Sequence, residues 1–254
     1  IIANDQPDFI LHLAAQAIVS ESYTKPYETI NTNVLGTASI LESLKSYKKK
    51  CTVIIITSDK CYDNVEWPWG YKETDKLGGK DIYSGSKGAA ELIINSYVKS
   101  FFEDSDLIKI GVGRAGNVIG GGDWARDRIV VDCIKSWSKN KPVEIRSPAA
   151  TRPWQHVLEP LSGFLTLAHN IFEEKNFQGN AYNFGPKSEQ NRTVLGLLED
   201  MSIIWGFDDS SQAFTITDNI TFYESGLLKL NCDKALMELQ WESNLNYAET
   251  VKFV

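Results

Sequence analysis

The chain has 254 residues, of which 43% are hydrophobic and 23% charged, a composition typical of globular proteins and unlike that of disordered or fibrous chains. Its 26 Lys and Arg are outnumbered by 33 Asp and Glu, so the formal net charge is −7 and nucleic-acid binding is not expected. Four well-separated cysteines and three histidines argue against a disulfide framework and against a metal site. We therefore expect reduced thiols and a cytoplasmic location, and the longest apolar run, at 53–56, is too short to cross a membrane.

Short apolar runs alternate with amphipathic stretches over the first part of the chain. In chain order we predict a strand at 9–13, a helix at 27–47, a strand at 52–57, a helix at 83–102 and a strand at 107–112. Because the strands are apolar throughout and are separated by helices, they predict a parallel sheet in an α/β fold.

Beyond residue 117 the elements become shorter and their order less regular. We predict strands at 143–145 and 181–184, and helices near 128–138, 157–172 and 194–205. This second part is expected to form a smaller lobe that completes a cleft. The chain is therefore divided into 1–117 and 118–254, and we expect it to cross back to the sheet near 143–185.

One glycine motif matches the dinucleotide fingerprint but lies in an unsuitable place. Gly111, Gly113 and Gly116 have the GxGxxG spacing after a predicted strand. Such a fingerprint has to open a helix whose N-terminus holds a pyrophosphate, and residues 117–123 are a poor start for a helix. We therefore interpret the motif as a transition from strand to loop.

Tyr83 and Lys87 are four residues apart on a predicted helix and share one of its faces. An ammonium group beside a phenol stabilises the phenolate, so such a pair can move a proton at neutral pH. Taken alone, the pair equally suits a solvated helix surface. Its context favours catalysis, because Ser58, Asp59 and Lys60 follow a buried strand, at the edge of an α/β sheet where ligands bind.

A serine, a tyrosine and a lysine in this chain order are typical of dehydrogenases and reductases. In that interpretation Ser58 hydrogen-bonds a substrate oxygen and Tyr83 moves its proton. Lys87 would lower the pKa of Tyr83 and hold the ribose of a nicotinamide cofactor. We therefore predict these three side chains as catalytic residues.

Seven segments together carry a family resemblance. They are HLAAQ at 12–16, TNVLGT at 32–37, TSDKCY at 57–62, YSGSK at 83–87, RAGNVIGGGDW at 114–124, TRPWQHV at 151–157 and NFGP at 183–186. Through them the chain resembles the extended short-chain dehydrogenase/reductases that modify nucleotide sugars, and within these the CDP-glucose 4,6-dehydratases. The segments at 59–60, 120–124 and 152–156 are specific to the dehydratases, whereas YSGSK and HLAA point only to the superfamily.

The resemblance implies a Rossmann-like doubly wound parallel sheet, with 1–117 as a partial NAD-binding domain and 118–254 as a smaller, mainly substrate-binding lobe. The family's glycine-rich pyrophosphate loop is not among these residues, because the first strand corresponds to the family's fourth. If each strand–helix unit takes about 30 residues, roughly 60–80 residues are expected to precede Ile1. Without them we expect an exposed apolar sheet edge and weak binding of NAD.

The same resemblance implies a hydro-lyase that converts CDP-glucose to CDP-4-keto-6-deoxyglucose with NAD as cofactor. Tyr83 takes the proton of the sugar 4-hydroxyl while hydride passes to NAD, water is eliminated across C5 and C6, and hydride returns to C6. Asp59 corresponds to the acid that protonates the leaving hydroxyl. Lys60 is the base at C5, the group that stabilises the enolate, or a member of a structural ion pair.

Further residues take binding roles from the resemblance. Those implied to contact the cofactor, besides Tyr83 and Lys87, are Leu13, Ala14, Ala15 and Asn33. Those implied to hold the diphosphate of the substrate are Asn117, Arg146 and Arg152, since the planar fork of arginine suits phosphate oxygens. For Arg146 a surface ion pair is an equal alternative.

The expected partners are a small nucleotide sugar and a second copy of the chain. The family implies a homodimer formed by the helices at 27–47 and 83–102, and a role in supplying deoxysugars for lipopolysaccharide. Two other functions stay open: a nucleotide-sugar 4-epimerase or other reductase, which would not need Asp59, and a non-catalytic nucleotide-sugar-binding fragment. The preference for a cytosine base rests on the resemblance alone.

Overall fold

The computed structural model describes residues 2–173, 177–187, 190–217 and 225–254. Within them the strands are β1 Phe9–His12, β2 Cys51–Ile56, β3 Ile108–Ala115, β4 Val118–Ile119, β5 Val143–Ile145, β6 Thr151–Arg152, β7 Gln155–His156, β8 Ala181–Phe184, β9 Arg192–Thr193 and β10 Phe214–Ile216. The helices are α1 Ile2–Asp5, α2 Val19–Thr24, α3 Pro26–Ile30, α4 Gly36–Leu44, α5 Ile82–Tyr97, α6 Ile129–Trp137, α7 Leu158–Glu173, α8 Val194–Trp205, α9 Asp233–Leu239 and α10 Tyr247–Phe253. None of the helices in these residues is long and apolar enough to cross a membrane.

The central sheet has four parallel strands in the order β1-β2-β3-β8. Cys51 of β2 pairs with Ile108 of β3, and Val112 of β3 pairs with Ala181 of β8. The predicted parallel α/β sheet is therefore confirmed. All three strands predicted in the first part of the chain belong to this sheet.

Helices cover both faces of the sheet. Val53 and Ile55 of β2 lie in one apolar cluster with Leu41 of α4 and Ile94 of α5. Ile54, between them in the chain, belongs to a second cluster that includes four buried residues of α7. Because successive strand residues point to opposite faces, an unbroken apolar run is what a strand covered on both sides requires.

Two glycines allow α7 to pack close to the sheet. A Cβ at Gly111 would lie 2.2 Å from Ile171 Cδ1, and a Cβ at Gly113 would lie 2.7 Å from the ring of Phe164. Both glycines lie inside β3, which continues to Ala115 and is longer than predicted. The GxGxxG spacing thus serves helix-to-sheet packing, and its interpretation as strand and loop is confirmed.

The two long predicted helices are present, each with a π-helical turn. The helix predicted at 83–102 is α5 followed by a turn at Val98–Phe102, and it begins after Asp81, whose side chain accepts the backbone N–H of Ser84 at 2.9 Å. The helix predicted at 27–47 is divided into α3, a π-helical turn at Asn31–Leu35 and α4. A π turn holds an extra residue, which a 3.6-residue period does not reveal.

The chain after β3 builds a second apolar core. Trp137 of α6 is buried in it, and its indole N–H donates to the C=O of Ala213 at 2.8 Å. Apolar side chains of α8 and α10 complete this core. The expected crossing near 143–185 is made by α7 and β8, but β5 pairs with β10 in a separate sheet and takes no part in it. The division of the chain at residue 117 stays a prediction.

In the described part of the chain, β1 forms one edge of the central sheet. Phe9 and Leu11 are 47% and 43% exposed there, and the ring centroid of Phe9 lies 5.4 Å from that of Phe172 on α7, which is itself half exposed. The apolar edge expected from the sequence is therefore present.

Gly163 of α7 provides a test of the close packing. A Cβ at this position would lie 2.3 Å from Phe184 Cδ1, and this fully buried ring is held edge-on by Phe164 and Trp241. Gly163→Ala is therefore expected to lower the free energy of unfolding by about 1–3 kcal/mol, measured by urea denaturation.

The matched control is Gly85→Ala on α5. An added Cβ there meets no heavy atom of the described residues within 4 Å, so this helical substitution is expected to be neutral or stabilising. Equal stabilities of the two variants would contradict the packing argument.

Candidate active site

A cavity of about 930 Å³ opens where β2 and β3 end. Ser58 and Asp59, which follow β2, and Asn117, which follows β3, line it from the side of the sheet. Arg152 lines it from the second lobe. Because the carboxyl ends of parallel strands meet at one edge of a sheet, residues distant in sequence converge at this place, as predicted.

A short 3-10 turn, Asp59–Cys61, carries the first catalytic candidates. Ser58 caps it: its hydroxyl accepts the backbone N–H of Lys60 at 3.2 Å and donates to Asp59 Oδ1 at 2.9 Å. Asp59 is buried, and its Oδ2 has no hydrogen-bond partner among the described residues. Burial raises the pKa of Asp59, while the charges of Lys60 and Arg152 and the Ser58 hydrogen bond lower it in part. The carboxyl is therefore disposed to hold a proton beside the cavity.

Tyr83 lies in the first turn of α5 and reaches the same part of the cavity. Burial raises its pKa to about 12, whereas a hydrogen bond shared with Ser58 and the positive charge of Arg128 act to lower it. The structure thus brings together the predicted serine and tyrosine. The groups seen to favour the phenolate are Ser58 and Arg128, so the predicted effect of Lys87 on Tyr83 stays a prediction.

Lys87 lies one helical turn beyond Tyr83 and also lines the cavity. Its Nζ is 6.0 Å from the centroid of the Tyr83 ring. Burial lowers the pKa of Lys87 to about 8, while Cys61 and Glu91 act in the opposite direction. The ammonium group is therefore still largely charged at neutral pH but loses its charge in mild alkali.

Lys60 lines the cavity beside Asp59 and is partly buried. Its Nζ lies 3.4 Å from the hydroxyl of Ser225, and its charge lowers the pKa of Asp59. The amine therefore lies on the same side of the cavity as the candidate acid. The three predicted roles for Lys60 stay predictions.

The three residues predicted to hold a diphosphate all line the cavity. Arg152 is buried, and its Nη1 donates to the C=O of Thr151 at 2.8 Å. Arg146 is partly exposed and lines the cavity, and its Nη2 lies 3.9 Å from Asp127 Oδ1, so the ion pair is present. The diphosphate contact of Arg146 stays a prediction. Asn117 is fixed by its backbone, whose C=O accepts from Gln155.

The predicted cofactor contacts divide into two groups. Leu13 and Ala15 line the cavity. Asn33 is buried away from it: its Oδ1 accepts the N–H of Gln16 at 2.9 Å, and its Nδ2 donates to the C=O of Gln16 at 3.0 Å and to Ser86 Oγ at 2.9 Å. Asn33 thus connects the loop after β1 to α5. Its cofactor role, like that of exposed Ala14, stays a prediction.

Sequence reasoning missed Arg128 and the ion pair of Arg114 with Glu91. Arg128 lines the cavity, and its Nη2 donates to the C=O of Ala17 at 3.3 Å. The one sequence feature that could have indicated Arg128 as a site residue is its position shortly after the glycines at 120–122. For Arg114 and Glu91, 23 residues apart on different elements, no local pattern indicates the contact.

The sequence matches one known protein family over its whole length. Residues 1–254 match the family described as GDP-mannose 4,6 dehydratase. The chain belongs to the GDP-mannose 4,6 dehydratase family. This membership confirms the predicted place among the nucleotide-sugar-modifying enzymes and the predicted class of enzyme, a hydro-lyase.

Two characterised dehydratases are similar in sequence to this chain. The CDP-glucose 4,6-dehydratase of Salmonella typhimurium is 45% identical over 254 residues, which cover 98% of this chain and 70% of the relative. The dTDP-D-glucose 4,6-dehydratase of Dictyostelium discoideum is 28% identical over 215 residues, which cover 80% of this chain and 47% of the relative.

Solved structures of similar shape include an epimerase and a dehydratase. UDP-glucuronic acid 4-epimerase of Bacillus cereus, solved with UDP-glucuronic acid and NAD, has a TM-score of 0.84 at 21% identity and covers 99% of this chain and 75% of its own. The dTDP-glucose 4,6-dehydratase of Bacillus anthracis, solved with NAD, has a TM-score of 0.79 at 19% identity and covers 99% of this chain and 72% of its own. At these identities the likeness shows the fold, and it confirms the predicted Rossmann-like sheet.

Lys87 is expected to make stability depend on pH. Its pKa falls from 10.5 to about 8 on folding, so between these values the unfolded chain binds more protons and the free energy of unfolding rises with pH. From pH 8 to 10 this contribution amounts to about 2 kcal/mol. Tyr83, whose pKa rises on folding, opposes it but is present in every variant compared.

The measurement is chemical denaturation of the wild type and of Lys87→Met at pH 8, 9 and 10. The difference between the two proteins is expected to increase with pH in favour of the wild type. Lys99→Met, an exposed lysine on the π turn after α5, is the control and is expected to follow the wild type. A wild type and a Lys87→Met variant with parallel pH profiles would refute the assignment.

Proposed function

We propose that the protein catalyses the NAD-dependent 4,6-dehydration of CDP-glucose to CDP-4-keto-6-deoxyglucose. The observation that carries this proposal is the position of Asp59. A buried carboxyl with a raised pKa and an unpartnered oxygen lies directly beside Ser58 and shares a cavity with Tyr83 and Lys87. An oxidation needs the serine, tyrosine and lysine, and a loss of water needs in addition an acid of this kind.

The residues around the cavity suit NAD. Leu13 and Ala15 form an apolar wall, and Tyr83 and Lys87 add a hydroxyl and a buried ammonium group that suits ribose hydroxyls. NAD, when bound, accepts hydride from the sugar and later returns it. The NAD named in the B. anthracis dehydratase and B. cereus epimerase structures supports the same choice. In this proposal residues 1–117 hold the cofactor and 118–254 mainly hold the sugar nucleotide.

Chemistry at C4 falls to Ser58 and Tyr83. The Ser58 hydroxyl hydrogen-bonds the oxygen on C4. Tyr83, whose pKa of about 12 leaves it mostly protonated in the ligand-free protein, has to ionise to take the proton of that hydroxyl. Ser58 and Arg128 favour the phenolate against the effect of burial. Lys87, largely charged at neutral pH, supplies a further positive group on the same wall of the cavity.

Loss of water falls to Asp59 and Lys60. A ketone at C4 acidifies the proton on C5, and removal of that proton allows the hydroxyl on C6 to leave. Asp59 donates its proton to this hydroxyl, which departs as water, and burial raises the pKa of the carboxyl and so favours the protonated form that the step needs. Lys60, beside it on the turn, removes the C5 proton or stabilises the enolate.

The nucleotide half of the substrate is assigned to the second lobe. Arg152, Arg146 and Asn117 line the cavity there and offer guanidinium and amide groups to a diphosphate. The choice of cytidine is supported by the 45% identity to the Salmonella typhimurium enzyme. A cytoplasmic location belongs to the same proposal, because all four cysteines are free thiols.

A homodimer is also part of this proposal. Exposed apolar side chains occur on neighbouring helices of the first domain, among them Tyr27 at 77%, Leu35 at 53% and Leu92 at 57% exposed. Leu92→Glu is expected to shift the protein from dimer to monomer in sedimentation at micromolar concentration, because a charge would be buried between the copies. Leu165→Glu, on an equally exposed leucine of α7, is the control. Dimers that survive Leu92→Glu would remove this interface from the proposal.

The decisive experiment is mass spectrometry of the products formed from CDP-glucose and NAD in deuterated water by the complete gene product. Loss of one water with gain of one deuterium at C5 is expected. Asp59→Asn is expected to slow water loss by roughly 10²–10⁴-fold while leaving oxidation at C4 in place. Asp63→Asn, in the same loop but paired with exposed Lys76, is the control and is expected to keep full activity.

Three outcomes would contradict the proposal. A product with the mass of the substrate would identify a 4-epimerase, the activity of a structural neighbour. Bound CDP-glucose without turnover would identify a non-catalytic binding protein. Dehydration of a different nucleotide sugar in preference to CDP-glucose would retain the reaction and replace the substrate.

A further inference from the structure

A buried ion pair lies behind the wall of the cavity, and neither of its two residues lines the cavity itself. Arg114, on β3, directs two nitrogens at the carboxylate of Glu91 on α5, with Nε 2.8 Å from Oε1 and Nη2 2.9 Å from Oε2. Their side chains are only 4% and 5% exposed. Glu91 lies one helical turn beyond Lys87, so the pair is attached to the helix that carries the catalytic tyrosine and lysine.

Each member of the pair also bonds one end of the catalytic turn. The Thr57 hydroxyl, directly before Ser58, donates to Glu91 Oε1 at 2.5 Å. The Tyr62 hydroxyl, directly after Cys61, accepts from Arg114 Nη1 at 2.8 Å and donates to Asn183 Oδ1 at 2.7 Å. The segment between these two residues carries Ser58, Asp59 and Lys60, and it is therefore held from both sides.

The backbone of this segment does not need these bonds for its own hydrogen-bonding. The N–H of Thr57 donates to the C=O of Gly113 at 2.9 Å, and the N–H of Cys61 donates to the C=O of Ser58 at 3.1 Å. The side-chain hydrogen bonds of Thr57 and Tyr62 instead link the turn to α5 and β3. They set where the turn lies relative to Tyr83 and Lys87.

A buried ion pair is also a poor device for stability alone. Taking two charges out of water is costly, and apolar side chains of the same volume often serve as well or better. A bidentate pair does fix the relative position of the two elements that carry it, because the planar guanidinium binds a carboxylate in one preferred arrangement. The pair is therefore better explained by position than by stability.

We propose that Glu91 and Arg114 are positioning residues that clamp the Ser58–Cys61 turn to α5, so that the acid for water loss and the tyrosine for oxidation act on one bound sugar. This proposal rests on the proposed function, since the acid for water loss and the tyrosine for oxidation lie on the two elements that the clamp joins. The four clamp residues are Thr57, Tyr62, Glu91 and Arg114.

The test weakens the clamp without leaving a buried charge unpaired. Removal of Glu91 or Arg114 would strand its partner, so the variants are Tyr62→Phe and Thr57→Val, which each remove one hydroxyl and preserve volume. The control is Tyr71→Phe. Tyr71 is buried, its ring centroid lies 5.1 Å from that of Tyr62, and its hydroxyl bonds Asn64 and Val65 rather than the ion pair.

The first measurement is a single turnover of CDP-glucose by the complete gene product with NAD. The ratio of oxidised but undehydrated sugar to dehydrated product is determined by mass spectrometry. This ratio is expected to rise roughly 10-fold in both clamp variants, because a small misplacement of Asp59 slows water loss more than oxidation. It is expected to stay at the wild-type value in Tyr71→Phe. A variant that is merely less stable would lower both steps together and leave the ratio unchanged, which would overturn the proposal.

The second measurement needs neither substrate nor cofactor. Amide hydrogen exchange of the segment 57–62 is followed by mass spectrometry in the ligand-free protein, and exchange is expected to be several-fold faster in the clamp variants than in the wild type or the control. Unchanged exchange in both clamp variants would overturn the clamp. A wild type that does not dehydrate CDP-glucose, with faster exchange in the clamp variants, would retain the clamp and overturn the proposed function instead.

Discussion

Burial where β2 ends governs the chemistry of this site. Removal from water disfavours every charged form, so the same environment raises the pKa of Asp59 and Tyr83 and lowers that of Lys87. The pKa values of the carboxyl and the amine are thereby shifted toward neutral pH, whereas that of the Tyr83 phenol, at about 12, is shifted away from it. One physical cause thus favours the protonated form of the carboxyl and the neutral form of the amine.

The ion pair beneath the cavity responds to the same burial in the opposite way. Burial acts to lower the pKa of Arg114, but the hydrogen bonds and charge of Glu91 outweigh it and the pKa is raised. The Arg114 guanidinium therefore keeps its charge. Because Glu91 also acts to keep Lys87 protonated, the fixed charges and the proton-transfer groups are coupled through one helix, α5.

The sequence predicted what local patterns determine. The helix predicted at 194–205 has the observed bounds, because Thr193 caps its start and Gly206, with a left-handed backbone, ends it. Ser58, Tyr83 and Lys87 could be grouped because strand ends converge at one edge of a parallel sheet. Two other features could not be predicted from the sequence, because they arise only from tertiary contacts. These are the hydrogen bond between Asn33 and Ser86, which are 53 residues apart, and the pairing of β5 with β10.

The turn after β2 holds the acid of the proposed mechanism against the residues that follow β3. Its internal geometry is set by the Ser58 cap and by backbone hydrogen bonds, and the side chain of Asp59 is buried. Asp59 also needs space in front of its unpartnered oxygen. A Cβ at Gly116 would lie 3.3 Å from Asp59 Oδ2 and 3.2 Å from Pro153 Cγ, closer than a side chain ordinarily packs. In the proposed mechanism, elimination thus depends on the glycine that follows β3 as well as on Asp59 itself.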